Sequence, residues 1–147
     1  MREISTNRFG LLEIEENKII HFPKGIPAFE EEHEFVLVPY EEESPYFFLQ
    51  SAQRAELAFL VTDPFVFFPD YTAEIDDTTV DELKIQNNEN VEIYAILTIP
   101  NGSVRYMTAN LLAPIVINTE NMQAKQIVMD KSNYKTKHRL FPEGGQK

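Results

Sequence analysis

Residues 91–109 read VEIYAILTIPNGSVRYMTA, and this stretch decides the fold class. Residues 91–99 are rich in β-branched and aromatic residues, which suit a half-buried strand. Both positions of Asn101-Gly102 tolerate positive φ, so this dipeptide is a strong hairpin signal. We therefore expect residues 104–109 to return as a second strand.

Similar short strand-like runs recur along the chain, each bounded by Gly, Pro, Asn or Asp. Residues 11–15 and 18–22 predict a second hairpin, and residues 76–83 predict one short helix with an acidic N-terminus. We predict an all-β fold, a single-domain antiparallel β-barrel-like structure of about ten short strands with one short helix. The domain is expected to span residues 1–142, followed by a flexible C-terminal tail, residues 143–147. The other predicted strands are residues 2–8, 34–40, 46–51, 57–62, 111–118 and 123–129, and residues 65–68 and 71–75 flank the break at Pro69-Asp70 without an assigned element.

The composition narrows the class of protein. The 147 residues include 43% hydrophobic residues, enough for a core. The chain has no cysteine, which excludes a disulfide framework and thiolate chemistry. The N-terminal stretch lacks the apolar region of a signal peptide, and no apolar run approaches about 18 residues. We expect a soluble, cytoplasmic protein that does not bind membranes.

The charge is strongly acidic and unevenly distributed. The net charge is −11, but residues 1–92 carry 21 acidic and 6 basic residues, whereas residues 93–147 carry 3 acidic and 7 basic ones. An acidic body repels nucleic acid and attracts basic proteins, although charge of this kind also simply keeps a protein in solution. A basic C-terminal segment leaves a single-strand nucleic-acid binder open as a minor alternative.

No catalytic constellation stands out, so we do not predict an enzyme or a cofactor. His21, His33 and His138 are the only histidines, and they lack the close spacing of a metal site. There is no Gly-x-Ser-x-Gly elbow, Walker A motif or dinucleotide fingerprint. The remaining catalytic alternative is a small acidic β-barrel enzyme whose carboxylates and His33 bind a divalent metal.

Residues 21–35, HFPKGIPAFEEEHEF, are the first candidate docking surface. Two prolines stiffen the segment, which lowers the ordering entropy that a partner must overcome. The phenylalanines could instead close one end of the barrel. The predicted contact residues are Phe22, Ile26, Phe29, Glu30, Glu31 and Glu32.

Several long stretches of the chain form a distinctive set: IIHFPKGIPAFEEEHEFVL (19–37), YFFLQS (46–51), LAFLVTDPFVFFPDY (57–71), YAILTI (94–99), TANLLAPIVIN (108–118), KQIV (125–128) and YKTKHRLF (134–141). Together these stretches resemble the FliW family of flagellar assembly factors. The resemblance covers residues 8–142, and its motifs occur in order. One departure is Ala28, where the family pattern has glycine.

The family-like stretch TANLLAPIVIN supplies a second candidate surface. Pro114 within a predicted strand indicates an edge position or a bulge, because proline cannot donate to the ladder. An edge strand offers unpaired backbone groups to a partner, whereas a bulge would only bend the barrel. The candidate contact residues here are Asn110, Pro114 and Asn118.

The resemblance implies a barrel-like monomer without catalytic activity and two protein partners. One is CsrA, an RNA-binding regulator that represses translation of flagellin mRNA. The other is flagellin itself, which competes for the same factor. The family resemblance implies that binding relieves the repression by CsrA through an allosteric effect, without direct contact to nucleic acid.

Overall fold

The computed structural model describes residues 1–142 and consists mainly of short strands. The strands are Arg2–Thr6 (β1), Gly10–Ile14 (β2), Ile20–His21 (β3), Glu34–Pro39 (β4), Tyr46–Ser51 (β5), Ala58–Thr62 (β6), Val91–Thr98 (β7), Thr108–Ala109 (β8), Ile115–Asn118 (β9), Gln123–Gln126 (β10) and His138–Arg139 (β11). The two α-helices within this range are Pro64–Phe67 (α1) and Asp77–Leu83 (α2). The predicted tail, residues 143–147, lies outside the described residues.

Seven strands close into a ring, in the order β7-β6-β5-β4-β3-β10-β9 and back to β7. The last contact joins the first half of β7 to β9, with Tyr94 opposite Ile115. The pairing of β3 with β10, at His21 and Gln123, is parallel, and the other pairings in the ring are antiparallel. The all-β, barrel-like class is confirmed, with one parallel contact that the sequence did not predict.

The interior of the ring is a core to which each of its strands contributes. Side chains alternate between the two faces of a strand, so every second residue points inward. Ile96 and Tyr94 of β7 pack against this core. Its buried members from the other ring strands include Ile20, Phe35, Leu49, Val61, Ile115, Ile117 and Ala124.

Two further layers cover the outside of the ring. The β1–β2 hairpin packs Ile4 against Val36 on the outer face of β4. A second and larger cluster lies outside β7 and β9, where residues of the helical region and the C-terminal segment cover Ala95 and Val116. Strands that are buried on both faces read as nearly continuous apolar runs, as in VEIYAILTI.

The predicted hairpin of residues 11–15 and 18–22 is wrong, because β2 pairs with β1 instead. Thr6 and Gly10 fix the turn between them. The Thr6 hydroxyl donates to the Gly10 carbonyl and accepts from the Phe9 amide, both at 2.8 Å. Gly10 has a φ of 70°, which glycine adopts without strain.

Residues 65–68 received no assigned element from the sequence, and the structure places a short helix here, since Pro64–Phe67 form α1. Asp63 caps this helix: its Oδ1 accepts from the Phe65 amide at 2.9 Å. Pro64 occupies the first helical position, where its missing N–H is not needed. The predicted helix of residues 76–83 is confirmed as α2, which Asp76 caps by accepting from the Thr79 amide.

The strands on either side of Asn101-Gly102 do pair, with Leu97 opposite Ala109. The two-residue hairpin is nevertheless wrong, because the connection contains two 3₁₀ turns, Pro100–Gly102 and Val104–Tyr106. Asn101 and Gly102 have the positive φ values that the dipeptide predicts, 51° and 71°. The local conformation was therefore predicted correctly, but the loop is longer and the return strand β8 is shorter.

Candidate functional site

The segment that follows β3 begins inside the barrel. Phe22 is fully buried and meets the Phe35 ring edge to face, with 5.3 Å between ring centroids. Ile26 is 2% exposed and belongs to the same core. The predicted docking roles of Phe22 and Ile26 are therefore corrected: both side chains fill the ring and offer no surface to a partner. The alternation of Ile20 and Phe22 on one strand face was the signal in the sequence.

A tight turn follows these core residues and fixes the loop. The Phe29 amide donates to the Ile26 carbonyl at 2.6 Å, with Pro27 and Ala28 between them. Ala28 has a φ of 75°, so the turn has the residue pattern of type II, in which glycine is preferred at this position. Gly25 has a φ of 68°, and a Cβ there would lie 2.5 Å from the Glu30 carbonyl oxygen. The loop is therefore a fixed scaffold and not an adaptable one.

The acidic loop surface, which we define as Phe29, Glu30, Glu31 and Glu32, is the part of this segment that reaches solvent. Phe29 is half-buried against the Phe59 ring, 5.5 Å away between centroids. Glu30 and Glu31 are exposed. Glu32 is partly withdrawn, because its carboxylate accepts from the Ser51 hydroxyl at 3.2 Å and pairs with Arg54 at 3.7 Å. Glu30 and Glu31 therefore present the exposed carboxylates of this surface, and the Glu30 carboxylate also accepts from the Ala28 amide at 3.1 Å.

Asn118 and Pro114, from the second candidate surface, are buried. The Asn118 amide donates to the carbonyls of Leu83 and Lys84, at 2.8 and 3.2 Å, and so satisfies the C-terminal end of α2. Pro114 precedes β9, and its carbonyl accepts from the Ile127 amide at 3.0 Å. These contacts give both residues structural roles.

Of the two alternatives for Pro114, an edge position or a bulge, the edge position is excluded, because β9 lies between β10 and β7 and has neighbours on both sides. Asn110 is half-buried, and its Oδ1 accepts from the Ala113 amide at 3.0 Å. The proline falls just before the paired residues, where no ladder hydrogen bond is lost. Pro114 thus lies outside the paired residues, as expected for proline, but the strand that follows it is not an edge strand.

The histidines do not form a ligand set. The Nδ1 atom of His33 lies 2.9 Å from the Phe22 carbonyl, and His21 lies 3.9 Å from the Glu34 carboxylate. Within residues 1–142, no group of three His, Asp or Glu side chains is placed to hold a metal ion. His138 accepts from the Lys135 amide at 2.8 Å, and burial followed by the charge of Lys135 lowers its pKa.

Glu82 of α2 connects three elements of the fold. Its carboxylate accepts from the Lys125 ammonium at 2.6 Å and from the Lys24 ammonium at 2.7 Å. These two hydrogen bonds, with that of Lys125 the larger, lower the pKa of Glu82 to about 2. Because Lys24 lies in the loop beside the acidic loop surface and Lys125 lies in β10, the pair holds this loop to the closing strand of the ring.

An apolar groove is a surface feature that sequence reasoning missed. Its volume is about 520 Å³. The floor is the outer face of three neighbouring strands, where Phe48 and Leu60 point away from the inward-facing Leu49 and Val61. The alternation in YFFLQS and LAFLVT could have indicated it. We define the apolar groove by its floor and wall residues: Tyr46, Phe48, Ala58, Leu60, Leu97 and Ile99 in the floor, and Arg8, Tyr40, Val104 and Met107 in the walls.

No helix within residues 1–142 is long and apolar enough to cross a membrane. What the structure presents is a closed β-ring with a rigid acidic loop and a separate apolar groove, and the described residues contain no metal-ligand cluster. Rigid exposed surfaces of this kind are typical of a protein that acts by contact with other proteins.

Comparison with known proteins identifies the family. The FliW family model, described as FliW protein, matches residues 3–140. The flagellar assembly factor FliW of Heliobacterium modesticaldum is 48% identical over 139 residues, which cover 95% of this chain and 90% of that protein. The FliW of Bacillus subtilis is 46% identical over 143 residues, 97% of each chain.

A solved structure agrees with the sequence relatives. A crystal structure of the flagellar assembly factor FliW superposes with a TM-score of 0.89 at 43% identity, covering 96% of this chain and 98% of that one. The chain therefore belongs to the FliW family of flagellar assembly factors, and the family resemblance noted in the sequence is confirmed.

Proposed function

We propose that this protein is a non-enzymatic regulator that works as a monomer in the cytoplasm. It binds the translational regulator CsrA, relieves the repression of flagellin mRNA translation through an allosteric effect, and binds flagellin as a competing partner. Membership of the FliW family supports this function, because the family resemblance implies these two partners. The protein itself does not contact nucleic acid and needs no cofactor.

The observation that carries the CsrA part is the acidic loop surface. Glu30 and Glu31 project from a turn whose backbone is held by Gly25 and Pro27, within a chain of net charge −11. A fixed acidic surface attracts a basic RNA-binding protein and speeds its association. The same charge repels RNA phosphates near the complex, which suits an antagonist of an RNA-binding regulator.

Association rates with CsrA test this electrostatic role. Salt screens exposed charges over a Debye length of about 30 Å at 0.01 M and about 3 Å at 1 M. The association rate of the wild-type chain should therefore fall steeply between these salt concentrations, whereas the dissociation rate should change less. Stopped-flow association rates that are flat across this range would rule out the electrostatic role.

A matched pair of variants locates the effect. Glu30→Gln/Glu31→Gln removes two exposed carboxylates from the acidic loop surface, and Glu41→Gln/Glu42→Gln removes two exposed carboxylates from another loop. We expect slower CsrA association for the first variant and little change for the second. Equal effects would mean that only the net charge matters, not this loop.

Competition between the two partners tests the whole proposal. Immobilised protein should retain CsrA from solution, and added monomeric flagellin should release it. Failure of the folded protein to bind either the host's CsrA or the host's flagellin would overturn the proposed function.

A further inference from the structure

The contact between β3 and β10 is the shortest pairing in the ring, and it leaves most of β10 without a strand on that side. The two strands meet at a single parallel pair, His21 with Gln123. The His21 amide donates to the Met122 carbonyl at 2.8 Å. The next residue whose backbone faces β10 is Pro23, which has no N–H to donate. The ladder therefore ends here, and the rest of β10 is an edge.

This edge continues beyond the last residue of β10. The amides of Ile127 and Met129 donate to carbonyls of the segment before β9, at 3.0 and 2.8 Å, and so keep the antiparallel register. In such a ladder the backbone groups of successive residues face opposite sides. Those of Gln126 and Val128 therefore point away from β9. Within residues 1–142, the N–H and C=O groups of Val128 have no hydrogen-bond partner.

A cleft of about 580 Å³ lies along this edge, and we call it the edge cleft. Residues 125–132 form one wall, and residues 74–76 with Thr79 form the other. Successive residues of a strand point their side chains to alternate faces, so a wall that includes every one of them is lined by the backbone. The edge cleft therefore offers main-chain N–H and C=O groups to a segment that enters it.

Two contacts hold the walls of the edge cleft in place. The Lys125 ammonium of one wall donates at 2.6 Å to Glu82 of α2, the helix that carries Thr79 in the other wall. The Glu74 amide lies 3.2 Å from the sulfur of Met129. The cleft is thus formed before a ligand arrives, which lowers the ordering cost of binding.

A second copy of this chain fits the edge cleft poorly. In an antiparallel pair of two such edges centred on Val128, Lys125 of each chain would lie opposite Lys131 of the other. Like charges directly opposite each other destabilise a strand pair. Residues 74–76 of each copy would also stand in front of its own edge. A single extended segment meets neither obstacle.

Side chains around the edge cleft define the chemistry of that segment. Val128 is 60% exposed, and an apolar residue on an added strand would cover it. Exposed carboxylates of Glu74, Asp76 and Asp130 outnumber the one exposed ammonium group in the walls, that of Lys131. Lysine or arginine beside the apolar residue would complement this charge.

We propose that the edge cleft binds an extended basic segment of a partner protein, which adds to β10 as a strand. Main-chain hydrogen bonds form with Gln126 and Val128, and an apolar side chain of the segment covers Val128. Its lysine or arginine side chains meet the carboxylates of Glu74 and Asp130. The inference goes beyond the proposed function, because it depends on the free edge of β10 and not on the identity of either partner named above.

Hydrogen exchange measured by NMR on the full chain tests the site. The probe is a short capped peptide of alternating lysine and valine, and the matched control peptide alternates glutamate and valine. At saturation, the lysine peptide should slow exchange of the Gln126 and Val128 amides by about tenfold or more, since both become hydrogen-bonded. Unchanged exchange at both amides would overturn the proposal. Equal protection by the glutamate peptide would overturn the basic character of the ligand.

N-methylation of the peptide tests strand addition without altering the protein. One peptide carries methyl groups on the first alternate set of its amides, and a second peptide carries them on the other set. Alternating side chains fix the register, so only one set of amides faces β10. One methylated peptide should therefore bind like the parent and the other should not bind. Equal binding of the two would overturn strand addition.

A matched pair of variants tests the carboxylates. Glu74→Gln/Asp130→Asn removes two exposed carboxylates from the edge cleft, and Glu89→Gln/Glu120→Gln removes two exposed ones elsewhere. The first variant should bind the lysine peptide about threefold or more weakly than wild type, and the second should stay close to wild type. Equal affinities for the two variants would overturn the role of these carboxylates.

Sedimentation of the free wild-type protein covers the remaining occupant. A dimer that protects the Val128 amide without any peptide would overturn the proposal, because the edge would then bind a second copy of this chain. None of these measurements uses CsrA or flagellin. Failure of the edge cleft to bind the lysine peptide therefore leaves the proposed function untouched, and failure of the proposed function leaves the edge cleft untouched.

Discussion

The side-chain amide of Asn118 donates a hydrogen bond to the backbone carbonyl of Leu83, 2.8 Å away, and so joins the end of β9 to the end of α2. The same amide reaches the Lys84 carbonyl at 3.2 Å, while its Oδ1 accepts from the Glu120 amide at 3.0 Å. One buried side chain thereby satisfies three backbone groups. Asn118, which was predicted as a surface contact, is therefore a buried residue that joins two elements of the fold, and we call this its brace role.

Replacement of this brace should destabilise the fold. Asn118→Ala removes one donor from the Leu83 and Lys84 carbonyls and the acceptor of the Glu120 amide, and we expect a loss of about 1–3 kcal/mol in the free energy of unfolding. Asn121 also donates to the Leu83 carbonyl, at 3.1 Å, but is exposed, so Asn121→Ala is the matched control with a smaller expected loss. Urea unfolding measures both. Equal midpoints for the two variants would contradict the brace role.

A stabilising substitution is expected at Ala28. This residue has a φ of 75°, a conformation that costs a residue with a Cβ about 1–2 kcal/mol. Glycine avoids that strain but has more freedom in the unfolded chain, so Ala28→Gly should raise the free energy of unfolding by about 0.5–1 kcal/mol. Ala55 does not have positive φ, and Ala55→Gly should lower it. Thermal unfolding of both variants checks the opposite signs.

Truncation of the two phenylalanines of the same loop should give unequal effects. Phe22 is fully buried, so Phe22→Ala should lower the free energy of unfolding by about 3–5 kcal/mol. Phe29 is half-buried, so Phe29→Ala should lower it by less while changing the acidic loop surface directly. Chemical denaturation gives the stability of each. A nearly neutral Phe22→Ala would contradict its place in the core.

The pKa of Glu82 makes stability depend on acidity in a defined direction. The folded-state pKa, about 2, is below the unfolded value of 4.5, so the unfolded chain binds a proton first as the pH falls. The stabilisation by Glu82 is therefore complete above about pH 4.5 and is lost as the pH falls towards about 2. The stability difference between wild type and Glu82→Gln should be largest at neutral pH and shrink in this window.

A second variant confirms the origin of that dependence. The hydrogen bond from Lys125 lowers the pKa of Glu82 more than the one from Lys24 does. Lys125→Met should therefore remove most of the pH dependence of stability that Glu82 causes. Urea titrations at pH 7, pH 4 and pH 2.5 supply the measurement. A Glu82→Gln difference that is constant across these three values would show that the carboxylate does not titrate in this way.

The fold class and several elements could be predicted from sequence, because they depend on local chemistry. Tyr46–Ser51 and α2 were predicted from apolar alternation and from the capping of the helix by Asp76. The stretch of residues 65–68 was not, because four apolar residues fit either a strand or a buried helix. The Asp63-Pro64 cap favoured the helix and outweighed aromatic strand propensity.

Pairing was harder to predict than the elements themselves. Nothing in residues 11–22 says whether β2 returns to β1 or continues to β3, since both choices bury apolar residues and both have a turn between them. The hydrogen bonds of Thr6 around Gly10 decide it. The parallel contact of β3 with β10 joins positions far apart in the chain, and no local pattern encodes such a contact.

Some residues of the candidate site could be predicted from their own chemistry, and others depended on how distant parts of the chain pack. Glu30 and Glu31 were predicted as exposed and are exposed, because unpaired charges are rarely buried. Phe22, Ile26 and Asn118 were predicted as contacts and are buried, because residue type alone does not tell an apolar anchor from a core residue. Alternation in YFFLQS and LAFLVT marks the outward-facing side chains of the apolar groove, but no single stretch shows that residues of three strands line one groove.

The parallel contact between His21 and Gln123 sets when the protein can finish folding during synthesis. The ribosome must release nearly the whole of the described chain before β10 can reach β3. Contacts that close such long loops slow folding, and unpaired strands stay open to wrong partners until they form. The ring therefore closes as one late event, and a nascent chain that stops before residue 123 should remain open and sensitive to proteases.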